Sequence, residues 1–273
     1  MKDISVQFII GRARHQQNYS KWLASGMMKH GIKNISIKHQ FDPRNKPDLV
    51  VFWGHKRPDI IRNQKLYLVM ERAYIGERHH WLSLGYNGLN GNANFYNDGI
   101  TDMTRFNTHF KEYLEPWKEN ISDKPVLLIG QVPGDASHRH VNIHNWYVST
   151  VSHFKKMKKE VLFRPHPLDK TVLNVPGVKQ DTSPSLEIAL DTCSCCVTFS
   201  SNSGVISALK GIPTIAIDNI SMAKEVASRT LDNIEYMPNR NNWCAKMAYT
   251  QWLPEELESG IAWNHLKQAL IQN

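Results

Sequence analysis

Short apolar runs that stop abruptly at a glycine or a polar residue constrain this chain more than any other feature. The clearest are Asp48-Leu49-Val50-Val51-Phe52-Trp53-Gly54, Leu66-Tyr67-Leu68-Val69-Met70-Glu71 and Pro125-Val126-Leu127-Leu128-Ile129-Gly130-Gln131. Each is too short for a core helix and lacks polar alternation, the pattern of a strand buried on both faces of a parallel sheet. Helical stretches lie between such runs. Tyr19, Trp22, Leu23 and Met27 recur at i, i+3, i+4 and i+8 within residues 18–30, and Gly31 stands where a helix stop belongs. Strand and helix in alternation predict a parallel α/β fold. Further strands are expected at 4–10, 35–37, 160–163, 195–199 and 214–218, and helices at 145–158, 185–190 and 205–210.

The 273 residues allow one large or two medium domains, and a hydrophobic content of 41% supports a true core. No apolar run nears the roughly 20 residues that span a bilayer. Residues 1–11 read as a first strand rather than a signal peptide, so a cytoplasmic location is expected. Lys and Arg number 33 against 25 acids, a net charge of +8. That balance favours a polyanionic partner, nucleic acid first and an anionic membrane surface second. Cys193, Cys195 and Cys196 lack the Cys-x-x-Cys spacing and second ligand pair of a zinc site. They are expected to be buried and reduced, and no metal centre is expected.

From residue 74 to 101 the pattern changes. Gly76, Gly85, Gly88, Gly91 and Gly99 mix with asparagines and with Trp81, Tyr86, Phe95 and Tyr96. A loop this long and glycine-rich is uncommon unless it is functional. Residues 112–123, with Pro116 and several charges, read as a linker. A second α/β series starts at Pro125. From Trp243 the chain reads as helical with breaks, and Pro254 followed by Glu255 and Glu256 marks a fresh helix start. The expected division is 1–118, 119–242 and a helical tail, 243–273, packing back on the rest.

Two segments after strands of the second half carry chemistry. In Phe163-Arg164-Pro165-His166-Pro167 the prolines fix two φ angles. A rigid Arg164 can hold a diphosphate through its fork of donors, and His166 can donate to a phosphate or to a leaving group. The plain alternative has His166 capping a strand end and Arg164 pairing with a carboxylate such as Asp169. Phe199-Ser200-Ser201-Asn202-Ser203-Gly204 opens a short helix whose free N–H groups can cradle phosphate, although ordinary N-capping uses the same groups. Neither a Walker motif nor a dinucleotide fingerprint is present. Two anion-binding elements at strand ends suggest a ligand bearing a diphosphate.

With Ala208-Leu209-Lys210-Gly211-Ile212-Pro213 before the next strand, these segments resemble the donor half of GT-B glycosyltransferases. Similar motifs occur in capsule polysaccharide, Kdo and CDP-glycerol-type transferases. The resemblance implies a GT-B-like α/β fold, two Rossmann-like halves with the active site in the cleft between them. It also implies that Arg164, His166, Ser200, Ser201, Asn202, Ser203, Gly204 and Gln131 bind a nucleotide-sugar, a UDP-sugar first. No metal is required, and a divalent ion is compatible. The acid that often grips the ribose in such enzymes is missing from Val205-Ile206-Ser207-Ala208.

The segments Val69-Met70-Glu71-Arg72-Ala73-Tyr74, Gly85-Tyr86-Asn87-Gly88-Leu89-Asn90-Gly91 and Ala248-Tyr249-Thr250-Gln251-Trp252-Leu253-Pro254-Glu255-Glu256 look like small bacteriophage glycosyltransferases. Such enzymes often modify hydroxymethylated pyrimidines in phage DNA. The resemblance thus implies double-stranded DNA with modified bases as acceptor, in the cytoplasm of an infected bacterium. An inverting transfer needs a carboxylate base, for which the candidates are Glu71, then Asp98 and Glu77, with His166 serving the leaving group. Each has a plainer role open to it: Glu71 can pair with Arg72 or Arg78, and Asn97-Asp98-Gly99 is good turn chemistry. The DNA contacts expected are Arg12, Arg14, His55, Lys56, Arg57, Arg78 and Trp81. Two alternatives stand beside this. One is a capsule or cell-wall glycan acceptor with CMP-Kdo or a similar donor; the other is a non-catalytic nucleic-acid-binding protein.

Overall fold

The computed structural model describes residues 4–169 and 175–271. The chain opens with β1 (Ser5–Ile9), α1 (Arg14–Lys29), β2 (Asn34–Lys38), β3 (Leu49–Trp53), α2 (Pro58–Asn63), β4 (Tyr67–Arg72), β5 (Leu82–Tyr86) and α3 (Thr104–His109). Next come β6 (Val126–Ile129), α4 (Ile143–Lys156), β7 (Val161–Arg164), β8 (Lys179–Gln180), α5 (Leu186–Asp191), β9 (Cys195–Thr198), α6 (Ser203–Leu209) and β10 (Thr214–Ala216). It closes with α7 (Asn241–Met247), β11 (Gln251–Trp252), α8 (Pro254–Ser259), α9 (Ile261–Leu266) and α10 (Gln268–Ile271). Two compact units result. One runs to His109 and resumes at Cys244; the other is Phe110–Trp243. No helix among the described residues is long and apolar enough to cross a membrane.

The first unit holds a six-stranded sheet in the order β11-β5-β4-β3-β1-β2. The apolar runs behave as expected: β1, β2, β3 and β4 pair in parallel, and Leu49, Val50, Val51 and Phe52 have no exposed surface. Two strands depart from the sequence reading. β5 lies inside the glycine-rich stretch expected as loop and pairs antiparallel with β4. β11 comes from the tail expected as helical and pairs antiparallel with β5. Neither segment has a long apolar run, because a strand added by neighbours needs little intrinsic signal.

The tail is tied to this unit by packing and by a buried charge. Helix α8 lies against α1 so closely that a Cβ on Gly26 would sit 2.0 Å from the Leu257 carbonyl oxygen. Arg105 of α3 ion-pairs with Glu256, donates from Nε to the Ala248 carbonyl at 2.7 Å, and lies 4.5 Å over the Trp252 ring. Gln251 accepts the N–H groups of Tyr74 and Ile75 at 3.0 and 3.1 Å and donates to the Ile75 carbonyl at 2.7 Å. These bonds satisfy backbone groups that burial would otherwise strand.

The second unit holds a five-stranded, wholly parallel sheet in the order β10-β9-β6-β7-β8. Helix α4 buries Ile143, Tyr147, Val151 and Phe154. The supposed linker at 112–123 is a packed part of this unit. Trp117 donates from Nε1 to the Pro238 carbonyl at 2.9 Å, and the Arg240 guanidinium lies 4.0 Å over its ring. Gly211, at φ 73°, has the Pro116 carbonyl oxygen 1.9 Å from where a Cβ would stand. Charge and proline imitate a linker in sequence, while one tryptophan supplies the packing. All four cysteines are free and buried, as expected of Cys193, Cys195 and Cys196, and burial pushes the Cys196 thiol up to about 12.

Candidate functional site

In a parallel sheet, side chains that follow the strands gather at its carboxyl edge, where ligands of open α/β sheets bind. The second unit brings three of the expected segments together there. Gln131 follows β6, Arg164 and His166 end β7, and Ser200 to Ser203 follow β9, with β7 and β9 on either side of β6. Gly130 allows the tight approach, since a Cβ there would stand 3.1 Å from the Arg164 carbonyl oxygen and from the His166 nitrogen.

Gln131 is a buried bridge. Its Oε1 accepts the Ser200 N–H at 2.8 Å, its Nε2 donates to Ser200 Oγ at 3.1 Å, and its own N–H donates to the Tyr147 hydroxyl at 2.7 Å. Burial pushes that phenol up to about 12. Gln131 therefore locks the β6 and β9 ends into one surface.

The serine segment differs from the free cradle expected. The N–H of Ser200 is taken by Gln131, that of Ser201 by Thr198 Oγ1 at 2.9 Å, and that of Ser203 by Ser201 Oγ at 3.2 Å. The Gly204 N–H donates to the Ser201 carbonyl at 3.0 Å. Asn202 precedes α6 without a side-chain cap. A phosphate here meets chiefly hydroxyls, because side chains and turn carbonyls have claimed the amides.

Arg164 is likewise engaged. It ion-pairs with Asp181, rather than Asp169, and donates to the Ser183 carbonyl at 3.0 Å. Burial raises the Asp181 carboxyl, but hydrogen bonds from Ser183 and Arg164 outweigh it and hold the group below the usual carboxylate range. Asp181 lies beyond β8, where no sequence signal marked it. His166 is half-buried, and its Nδ1 accepts the Leu168 N–H at 3.1 Å. That bond makes Nδ1 an acceptor, so when the ring is neutral its proton sits on Nε2.

The first unit gathers a different set at its carboxyl edge. Glu71 and Arg72 end β4, Trp53 ends β3, and His15 lies in the first turn of α1, after β1. The half-buried Glu71 carboxylate accepts the Arg72 N–H at 2.8 Å. Arg72 Nη1 reaches both ring nitrogens of His79, at 2.6 and 3.1 Å. Tyr19 donates its hydroxyl to the His79 carbonyl at 2.8 Å, which ties the β4–β5 loop to α1. The His15 ring meets Trp53 edge-on at 4.8 Å. Burial, then the charges of Arg72 and His79, push His15 below its ordinary value. His15 and His79 belong to the basic stretches around the expected Arg14 and Arg78, while Arg72 was expected only as a partner of Glu71. The signal available was their position, one residue beyond Glu71 and in the first turn beyond the Gly11 strand.

The other expected residues are scattered in character. Asp98 is exposed, between Asn97, which donates to the Lys246 carbonyl at 2.9 Å, and Gly99 at φ 80°. Arg12, Arg14, Lys56 and Arg78 are exposed. Arg57 is paired with Asp59 at 2.6 Å, and His55 lies 3.3 Å from the Tyr67 hydroxyl. Trp81 is 7% exposed and packs edge-on with His109 at 5.2 Å, so it is a core residue and not an open stacking surface. Aromaticity beside basic residues could not reveal that burial. No cluster of potential metal ligands occurs among the described residues.

No protein-family model and no curated protein matches this chain. Solved structures do. The Thermosulfurimonas dismutans KpsC β-Kdo 2,7 transferase matches with a TM-score of 0.60 at 11% identity, covering 99% of this chain and 100% of that one. The β-Kdo 2,4 transferase of the same KpsC matches with a TM-score of 0.59 at 14% identity, covering 90% and 91%. At this identity the likeness is one of fold. The expected GT-B-like α/β architecture, with two Rossmann-like halves, is what the chain adopts; the tail, expected to pack back on the rest, belongs to the first unit.

Proposed function

We propose that this chain is a glycosyltransferase that draws on a nucleotide-sugar. The observation that carries the proposal is the carboxyl edge of the second sheet. The Ser203 hydroxyl, which accepts from Ser201 Oγ at 3.2 Å and keeps its own proton to donate, and the His166 ring lie at the ends of strands flanking β6, backed by the Arg164–Asp181 pair. As the sugar leaves, charge builds on the diphosphate oxygens. Preorganised donors of this kind stabilise it at little reorganisation cost. Gln131, Ser200, Asn202 and Gly204 hold the donors in place rather than touching the leaving oxygens. The acceptor hydroxyl loses its proton to a carboxylate. Glu71, half-buried at the end of β4, suits that role better than the exposed Asp98.

The acceptor favoured is a glycan, with CMP-Kdo or a related nucleotide-sugar as donor. The full-length likeness to Kdo transferases supports it. A hydroxymethylated pyrimidine in double-stranded phage DNA is the second reading, with a UDP-sugar as donor. The net charge of +8 and the exposed Arg12, Arg14, Lys56 and Arg78 favour it. Against it, Trp81 is buried and Arg57 is already paired. The deciding experiment is a donor screen of CMP-, UDP- and GDP-sugars against capsule oligosaccharides, hydroxymethylated duplex DNA and plain DNA. Product mass only on oligosaccharide supports the first reading, and product only on modified DNA the second. Salt-dependent DNA binding without turnover of any donor would refute both and leave a nucleic-acid-binding protein.

A further inference from the structure

We propose that Arg72, His79 and His15 form a phosphate-binding site at the carboxyl edge of the first sheet, specific for a terminal phosphate monoester. A guanidinium normally finds a carboxylate inside a folded protein. The side chain of Arg72 makes no ion pair among the described residues and leans on an imidazole instead, at 2.6 Å. The neighbouring Glu71 accepts a backbone N–H through Oε1. His15 approaches from α1 and is held against Trp53 at 4.8 Å. Tyr19 fixes the loop that carries His79. A fork and two imidazoles, from three separate elements, are thereby built around one locus, and the fork makes no ion pair among the described residues.

The ligand class follows from this geometry. Arg, His and His offer several N–H donors at one point, which suits a compact dianion with three terminal oxygens. A nucleic-acid backbone instead needs cations spaced along a strand. A planar carboxylate would saturate the Arg fork and leave the imidazoles idle. Burial and the charges of Arg72 and His79 hold His15 low, so a bound dianion would reverse that imbalance. The charged and titratable groups around the locus are Glu71, Arg14, Arg78 and the Tyr19 phenol, which burial pushes up. That the phosphate belongs to an acceptor rests on the transferase reading; the site itself does not.

The test is a pH titration of the histidine ring signals by NMR, with inorganic phosphate, dimethyl phosphate and acetate as probes. Phosphate should move the His15 and His79 midpoints upward by about one pH unit. Dimethyl phosphate and acetate should do so weakly. Arg72→Gln should weaken phosphate binding on the order of tenfold, and Arg72→Lys less. Lys21→Gln, which removes an exposed charge elsewhere on α1, should leave it unchanged. The wild-type titration decides even if the Arg72 variants fold poorly. Unmoved midpoints overturn the site, as does an equal response to dimethyl phosphate or acetate. So does equal weakening by Lys21→Gln. Sugar transfer without a phosphate response would sink this site alone. A phosphate response without turnover of any donor would support the site and sink the transferase reading.

Discussion

The carboxyl edges of the two sheets solve the same electrostatic problem in opposite ways. In the second unit, Arg164 has Asp181, Gln131 has Ser200, and most amides of the serine segment have internal acceptors. In the first, Arg72 has only an imidazole, and α1 begins at Arg14 with no side-chain cap and no acid in its first turn. Cations at a helix start oppose the macrodipole and cost a few tenths of a kcal/mol or more. A neutralised edge holds its shape without ligand and offers hydroxyls. An edge whose arginine meets an imidazole instead of a carboxylate leaves that guanidinium to attract an anion.

The largest expected effect comes from the first edge. Glu71→Gln should lower kcat about 10²-fold or more while leaving the thermal unfolding profile near wild type. Full activity in that variant would end its assignment as base and make the first edge purely a binding surface. Next, Asp181→Ala should convert the second edge into something like the first. It leaves Arg164 without its partner and should destabilise the second unit by about 3 kcal/mol in chemical denaturation. The sign with pH is definite. Asp181 is held below its ordinary value, so its contribution is complete above pH ~4 and is lost as pH falls through the folded value. The variant should lack that acid limb.

A smaller effect is expected from Ser203→Ala, which removes a hydroxyl from the second edge and leaves the amide network in place. The donor KM should rise about fivefold with kcat nearly unchanged. A large fall in kcat would instead give the serine a role in the transition state. The smallest effect distinguishes the units by pH. Burial pushes His265 below its ordinary value near 6.5, more than its bond to the Phe95 carbonyl raises it, and the Arg105 charge lowers it further. The unfolded chain therefore binds the proton more readily. Stability of the first unit is complete above pH ~6.5 and declines as pH falls below it. Hydrogen exchange at pH 7.5 and 5.5 should show the first unit loosening while the second, which has the Asp181 contribution intact, does not.

Much of the fold was legible before any coordinates. β3 and β6 announce themselves because burial on both faces leaves only apolar residues, and α1 because its stripe recurs at the helical period. β5 and β11 were not legible. Gly85 in β5 is there because a Cβ would meet the Ala93 side chain at 2.6 Å, a reason that resides in a neighbour and not in local propensity. Residues 112–123 misled for the same reason, since the packing of Trp117 depends on Pro238 and Arg240, more than a hundred residues away. The candidate site divides similarly. Arg164, His166 and the serines were visible as motif, and His15 and His79 as members of basic stretches; Asp181 and the partner of Arg72 were not.

The sequence alone determined the α/β class, the parallel strands and the residue types at the strand ends. Those follow from period and burial, which act over a few neighbouring residues. Only the tertiary structure decided which donors are already occupied. Whether Arg164 meets Asp181, whether Trp81 is open to solvent, and whether Arg72 finds a carboxylate or His79 each depend on where distant chain segments come to rest. Hydrogen bonds and ion pairs act over a few ångströms in space, and sequence spacing carries almost no information about that distance once the chain has folded.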